Sequence, residues 1–254
     1  MPPGTRRLAL LCASAAAWML PATAQADQVK VAVAANFAGP LARIAEGFST
    51  ASGHTLSISV GSTGKLYSQI VAGAPFEVLL AADDATPKKL ISEGHAVAGS
   101  NFSYAIGVLV LWSAQPGLVD DRGAVLASSR FARLAIANPK LAPYGRAAAE
   151  VIQARGLTDA LAPRQVMAES IGQAYQFIAT GNAELGFVAL SQVAVPGQPV
   201  TGSYWRVPAN LYGAIRQDAV LLKPGEKSAA ATALLAYLKS PAARALIQQY
   251  GYGL

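Results

Sequence analysis

VKVAVAANFAGPLARIAEGFSTASGHTLSISV, residues 29–60, carries a strand, a helix and a second strand in close succession. Val29 to Ala35 is a small-residue and β-branched run of strand type, and Ala38 to Thr50 sets Leu41, Ile44, Ala45 and Phe48 on one helical face. Thr55 to Val60 is the next β-branched run. A helix between two strands returns the chain to the same edge, so the two strands run parallel. The stretch therefore predicts an α/β protein built on largely parallel sheets.

The same rhythm continues outward. Lys65 to Ala72 reads as a helix, Val78 to Ala82 as a strand and Pro87 to Glu93 as a helix. The run Tyr104 to Trp112 (YAIGVLVLW) is too apolar for an edge, and its length predicts one central strand that carries the chain out of the first unit. A second α/β unit follows, with strands at Leu134 to Ala137, Gln165 to Ala168 and Leu185 to Ala189 and helices at Gly145 to Arg155 and Ile171 to Thr180. After strands near Ser203 to Val207 and Asp218 to Leu222 come only two helices, Ser228 to Leu238 and Pro241 to Tyr250. Two closing helices need a sheet to cover, and a return of the chain to the first unit supplies one. The expected architecture is thus two lobes, each a mainly parallel sheet flanked by helices, with a cleft between them. Residues 27–107 plus 215–254 form lobe I and residues 108–214 lobe II, with linkers near Gly107 and Ala214.

Composition narrows the class. Of 254 residues, 53% are hydrophobic and only 13% charged, about half the usual charged share of roughly 25%, which suits a packed globule and excludes a disordered chain or a nucleic-acid binder. The start carries a basic pair, Arg6-Arg7, an apolar segment from Leu8 to Leu20, and Ala24-Gln25-Ala26 in the small-x-small form of a cleavage site. Residues 1–26 are read as a cleavable secretory signal peptide, which sends the protein to the periplasm. Without Arg6 and Arg7, 18 basic side chains face 14 acidic ones, a mild surplus without a run. The single cysteine, Cys12, falls inside the signal segment, so a disulfide frame, a thiol nucleophile and a cysteine-ligated metal are all excluded from the mature chain.

Loops that follow strands in such folds face the cleft, where ligands bind at the carboxyl ends of the strands. Four of them here are rich in small or polar residues and poor in charge: Ala35-Asn36-Phe37, with Asn36 placed to cap the next helix; Gly61-Ser62-Thr63-Gly64-Lys65; Pro143-Tyr144-Gly145; and Glu169-Ser170-Ile171. Helix starts converging on one cleft form an anion site, because each brings unpaired N–H donors and about half a positive charge.

Enzymatic readings fit the same loops poorly. Gly61 to Lys65 is not a phosphate-binding loop of nucleotide enzymes, since Ser59 and Leu66 stand where a glycine and a magnesium-holding hydroxyl belong. Ser62 and Lys65 match the S-x-x-K spacing of a serine hydrolase, which remains a minor alternative without its partner motifs. His54 and His95 lack the spacing of a metal pair. Asp83-Asp84, after the third strand, suits a helix cap or the cleft wall.

VAVAANFAGPLARIAEGF, GSTGKLYSQIVAGAPFEVLLAADDATPKKL, PYGRAAAEVI, QDAVLL and YLKSPAARALIQQYGYGL together resemble the molybdate-binding periplasmic proteins of molybdate ABC importers, over nearly the whole mature chain. The resemblance implies the type II periplasmic binding fold, with molybdate or tungstate held by hydrogen bonds and with no cofactor or metal cation. It also implies a monomer that serves a membrane permease and its ATPase. Carried over by motif, the ligand-binding positions are Asn36, in place of the family's usual serine and next to Ala35; Thr63 with Ser62 beside it; and the backbone at Tyr144 and at Ile171. The family's tyrosine donor after the strand Leu185 to Val188 is replaced by Ala189, and the resemblance implies that Asn36 and the Tyr144 hydroxyl compensate. A receptor for sulfate or another tetrahedral oxyanion is the alternative binding function.

Overall fold

The computed structural model describes residues 27–254, and the signal segment read at 1–26 lies outside them. Strand β1 (Gln28–Ala34) leads through a single 3-10 turn at Ala35–Phe37 into α1 (Ala38–Ser52). Then come β2 (Thr55–Gly61), α2 (Thr63–Val71), β3 (Val78–Leu80) and α3 (Ala85–Ser92). Because successive strand residues face opposite ways, Val29, Val31 and Val33 of β1 join Leu41, Ile44 and Phe48 of α1 in one core. Ala32 faces the other side, with Leu66 and Ile70 of α2. The first sheet is thereby covered on both faces.

The expected strand Tyr104 to Trp112 is two strands. β4 (Phe102–Gly107) ends at Gly107, and β5 (Leu109–Ser113) begins one residue later in a different sheet. Nothing polar marks the break, because every residue of β5 is buried and only the partly buried Val108 separates the two. Beyond it lie β6 (Leu134–Ala137), α4 (Pro143–Ala154), the short α5 (Thr158–Leu161), β7 (Gln165–Ala168) and α6 (Ile171–Ala179). β8 (Leu185–Ala189), α7 (Leu190–Val193) and β9 (Ser203–Arg206) complete the second sheet. β10 (Ile215–Leu221) then returns to the first sheet, and α8 (Ala229–Leu238) and α9 (Pro241–Gln249) pack Leu234, Leu238 and Ile247 onto the face already held by α1.

The two sheets share a plan. Their strand orders are β2-β1-β3-β10-β4 and β7-β6-β8-β5-β9. In the first, β1 pairs in parallel with β2 and β3, while β10 runs antiparallel between β3 and β4. In the second, β6 pairs in parallel with β7 and β8, and β5 runs antiparallel between β8 and β9. Four strands of each sheet thus run one way, and the fifth is the one that has just crossed from the other lobe. The crossings at Val108 and at residues 207–214 lie side by side, with Ile215 opposite Gly107 and Leu109 N–H donating to the Tyr212 hydroxyl at 3.2 Å.

Gly107 sits where both crossings meet a third element. A Cβ there would press on the Tyr144 hydroxyl and stand 2.7 Å from Gln217 Nε2, both fully buried. Overpacking of this kind costs about 1–3 kcal/mol, so Gly107→Ala is expected to unfold at a lower urea concentration, with the transition slope unchanged.

Candidate functional site

The 3-10 turn after β1 and the starts of α2, α4 and α6 converge on one cavity of about 10 Å³, whose lining includes Ala35, Asn36, Ser62, Thr63, Tyr144 and Ile171. The sequence placed these six residues in four separate loops, and the fold brings them together. The cavity is on the scale of a single solvent-sized body, too small for a sugar or a peptide. Its wall carries no charged side chain among the described residues.

Each helix start leaves donors over. The first bonds of the helix ladders run from Leu66 N to Ser62 O at 3.0 Å, from Arg146 N to Ala142 O at 3.1 Å and from Ala174 N to Ser170 O at 3.0 Å. The N–H groups of Thr63, Tyr144 and Ile171 lie ahead of those bonds, where a helix offers no carbonyl partner. Side chains add to them. Ser62 stands at the cap position of α2 but makes no cap bond, and its Oγ is buried without a partner. Thr63 Oγ1 accepts from Ala82 N at 3.0 Å, which leaves its own proton to give.

Asn36 differs from expectation. It does not cap α1, whose N-cap is Phe37 with no side-chain bond. Its Nδ2 instead donates to Gln217 Oε1 at 2.8 Å and to the Tyr252 hydroxyl at 3.0 Å, and its Oδ1 is buried and unpartnered. The Tyr144 hydroxyl likewise accepts from Gln217 Nε2 at 3.2 Å. That bond ties the hydroxyl to Gln217 and leaves its own proton to give, as at Thr63, while the Tyr144 backbone N–H lies ahead of the α4 ladder.

That cluster was not anticipated. Tyr104 donates toward Ala81 O at 3.0 Å and Gln217 Oε1 at 3.1 Å, and Tyr252 joins Asn36 O and Ser191 Oγ, each at 2.9 Å. Gln217 is buried in β10 between the exposed Arg216 and the buried Asp218. Burial lifts the Tyr104 and Tyr144 hydroxyls well above their ordinary value of 10, and that of Tyr252 to about 12, so all three stay neutral.

Charge is kept to the rim. Lys65 Nζ meets Glu169 at 3.1 Å and Arg146 meets Asp83 at 3.8 Å, both pairs spanning the two lobes. Gly64 N–H donates to Leu141 O across the same seam at 2.9 Å. Asp83 also accepts from Thr86 N at 2.9 Å, capping α3, and Asp84 pairs with Lys88 at 2.6 Å, the bond that holds its carboxyl below the usual range. Lys65 Nζ pairs with Glu169 and Ser62 Oγ has no partner, so the two are not bonded to each other as the S-x-x-K chemistry of a serine hydrolase requires.

Two sheets with a neutral, donor-lined cavity between them are the pattern of a solute receptor, and residues 29–253 match the bacterial extracellular solute-binding proteins. The chain belongs to that family. This solute-binding protein is 57% identical over 247 residues to the molybdate-binding protein ModA of Azotobacter vinelandii, covering 97% of this chain and 98% of that one. It is 53% identical over 229 residues to ModA of Rhodobacter capsulatus, covering 90% and 89%. The solved structure of the Azotobacter vinelandii periplasmic molybdate-binding protein superposes with a TM-score of 0.87 at 46% identity, over 89% of this chain and 99% of that one. Among the described residues no helix is long and apolar enough to cross a membrane, and no group of three or more His, Cys, Asp or Glu is arranged to hold a metal ion.

The buried tyrosines set a pH limit on the binding protein. Tyr252 keeps its proton up to about pH 12 when folded but only to about 10 when unfolded. Its contribution is therefore complete below pH 10 and lost as pH rises toward 12, on the order of 2–3 kcal/mol. The urea midpoint should fall over that window, and Tyr252→Phe should flatten the fall.

Proposed function

We propose that this protein captures molybdate, and tungstate with it, in the periplasm and passes it to a membrane permease driven by an ATPase. The observation that carries the reading is a small cavity walled by neutral donors: the Thr63, Tyr144 and Ile171 N–H groups with the Ser62 and Thr63 hydroxyls, beside Ala35 and Asn36. A fully deprotonated tetrahedral dianion can accept every one of those bonds. A protonated phosphate would set its own donor against an N–H. Charge-assisted bonds contribute roughly 1.5–3 kcal/mol each, so five supply about 7.5–15 kcal/mol before ordering and desolvation costs, against the roughly 8 kcal/mol of a micromolar complex. The names of the relatives at 53% and 57% identity support molybdate over sulfate, an ion of equal charge and smaller size.

The protein works in this reading by binding and release, without turnover, as an exported monomer. Residues 27–107 plus 215–254 and residues 108–214 are the two bodies that close on the ion, hinged at Val108 and at 207–214. Thr63 from one body and Tyr144 from the other then hold the same ion.

Calorimetric titration of the exported protein, stripped of ligand, should give tight binding with molybdate and tungstate and little or none with phosphate. Tight sulfate binding without molybdate binding would replace the ligand. Ser62→Ala and Thr63→Ala should each weaken molybdate by roughly tenfold to a hundredfold, the worth of one such bond. Unchanged affinity in both would move the ion elsewhere.

A further inference from the structure

Asn36 presents a contradiction at an anion site: it is 2% exposed, it lines the cavity, and the atom it leaves unpartnered is an oxygen. An amide oxygen cannot donate to an oxyanion. The amide nitrogen can, but both of its protons are taken by Gln217 and Tyr252. Turning the Asn36 amide alone would place oxygen against Gln217 Oε1 and lose a bond.

Turning both amides exchanges one bond for another: the Tyr252 hydroxyl gives up Ser191, and Gln217 gains the Tyr104 hydroxyl as an acceptor. With Asn36 and Gln217 each rotated by half a turn, the Gln217 nitrogen occupies the place 2.8 Å from Asn36 and 3.1 Å from the Tyr104 hydroxyl, and its two protons serve those two acceptors. The Gln217 oxygen then lies 3.2 Å from the Tyr144 hydroxyl, which donates where it had accepted. Tyr104 gives its proton to Ala81 O, Ser191 donates to Asn36 O, and Tyr252 donates to the turned Asn36 oxygen at 3.0 Å. The remaining contacts keep their lengths, and the Asn36 N–H groups are freed at the position where the unpartnered oxygen stood.

Resting on the reading that the cavity takes an oxyanion, we infer that Gln217 is the positioning residue of the site: it holds the Asn36 amide in either sense and turns with it, so that the anion selects the sense that donates. Gln217 is 0% exposed and is not among the residues that line the cavity. It touches two residues of the wall, Asn36 and Tyr144, and of these Asn36 is the one with an unpartnered side-chain atom.

The test is a titration of the nitrogen-15-labelled protein with molybdate, following the side-chain amide resonances of Asn36 and Gln217, which are identified by their loss in Asn36→Ala and Gln217→Leu. Both pairs should shift with one midpoint, that of the calorimetric binding curve. By calorimetry Gln217→Leu should bind molybdate about tenfold more weakly, and the double variant should bind no more weakly than Asn36→Ala. A Gln217 resonance that stays in place at saturation, or losses that multiply in the double variant, would overturn the inference. Should Gln217→Leu fail to fold, triple-resonance assignment of the unaltered protein identifies the Gln217 amide, and its titration still decides. Heat from neither molybdate, tungstate nor sulfate with the unaltered protein would remove the oxyanion reading itself, whereas normal binding with a stationary Gln217 removes only its role.

Discussion

Much of this structure follows from where the chain crosses between its two sheets. A strand that enters a lobe from the cleft must run away from it, opposite to strands whose carboxyl ends point at the cleft. β5 and β10 are those strands, and each is wedged antiparallel beside the parallel set. The polarity of all the others is then the same, and every helix that follows β2, β6 or β7 begins at the cleft. Convergence of three helix starts on one cavity is thus a property of the topology, and the residues at those starts need only be small enough to let backbone N–H groups near.

Electrostatics follows from the same arrangement. A site made of helix starts holds fractional positive charge without any ion that could be protonated or paired away. The two ion pairs that bridge the lobes, Lys65 with Glu169 and Arg146 with Asp83, are largely exposed on their basic sides. Exposed pairs of this kind contribute about 0–1 kcal/mol, so they orient the lobes more than they hold them. The larger share of closure has to come from groups that both lobes direct at the same ion.

Much of this was legible in the residues. The alternation of strand and helix periods located nearly every element, because buried parallel strands and amphipathic helices leave unmistakable patterns in Val, Ile and Leu. A linker near Gly107 was expected, but the break of Tyr104 to Trp112 into two strands was not legible: a strand buried in one lobe abuts a strand buried in the other, and apolarity runs on without a turn signal. The four loops at the cavity could be named, since a loop's place after a strand follows from order, and the family resemblance singled out six residues in them that line it. Whether a side chain points at the cavity does not follow from order. Asn36 and Tyr144 both reach the site, yet their polar atoms turn to Gln217, which lies 181 and 73 residues away. No local pattern encodes a partnership at that separation.

Gln217 also joins two tasks that a binding protein could have kept apart. It lies on β10 beside the second crossing, within 2.7 Å of where a Cβ on Gly107 would sit, and it bonds Asn36 from the first lobe and Tyr144 from the second. Any change in the angle between the lobes alters the distance from Tyr144 to Gln217, and any change at Gln217 reaches the Asn36 amide. An apolar residue there would spare the protein the cost of burying an amide, on the order of 1–3 kcal/mol if left unpaired. What the amide adds is coupling: the donor at the cavity is set by the same bonds that register whether the lobes have met.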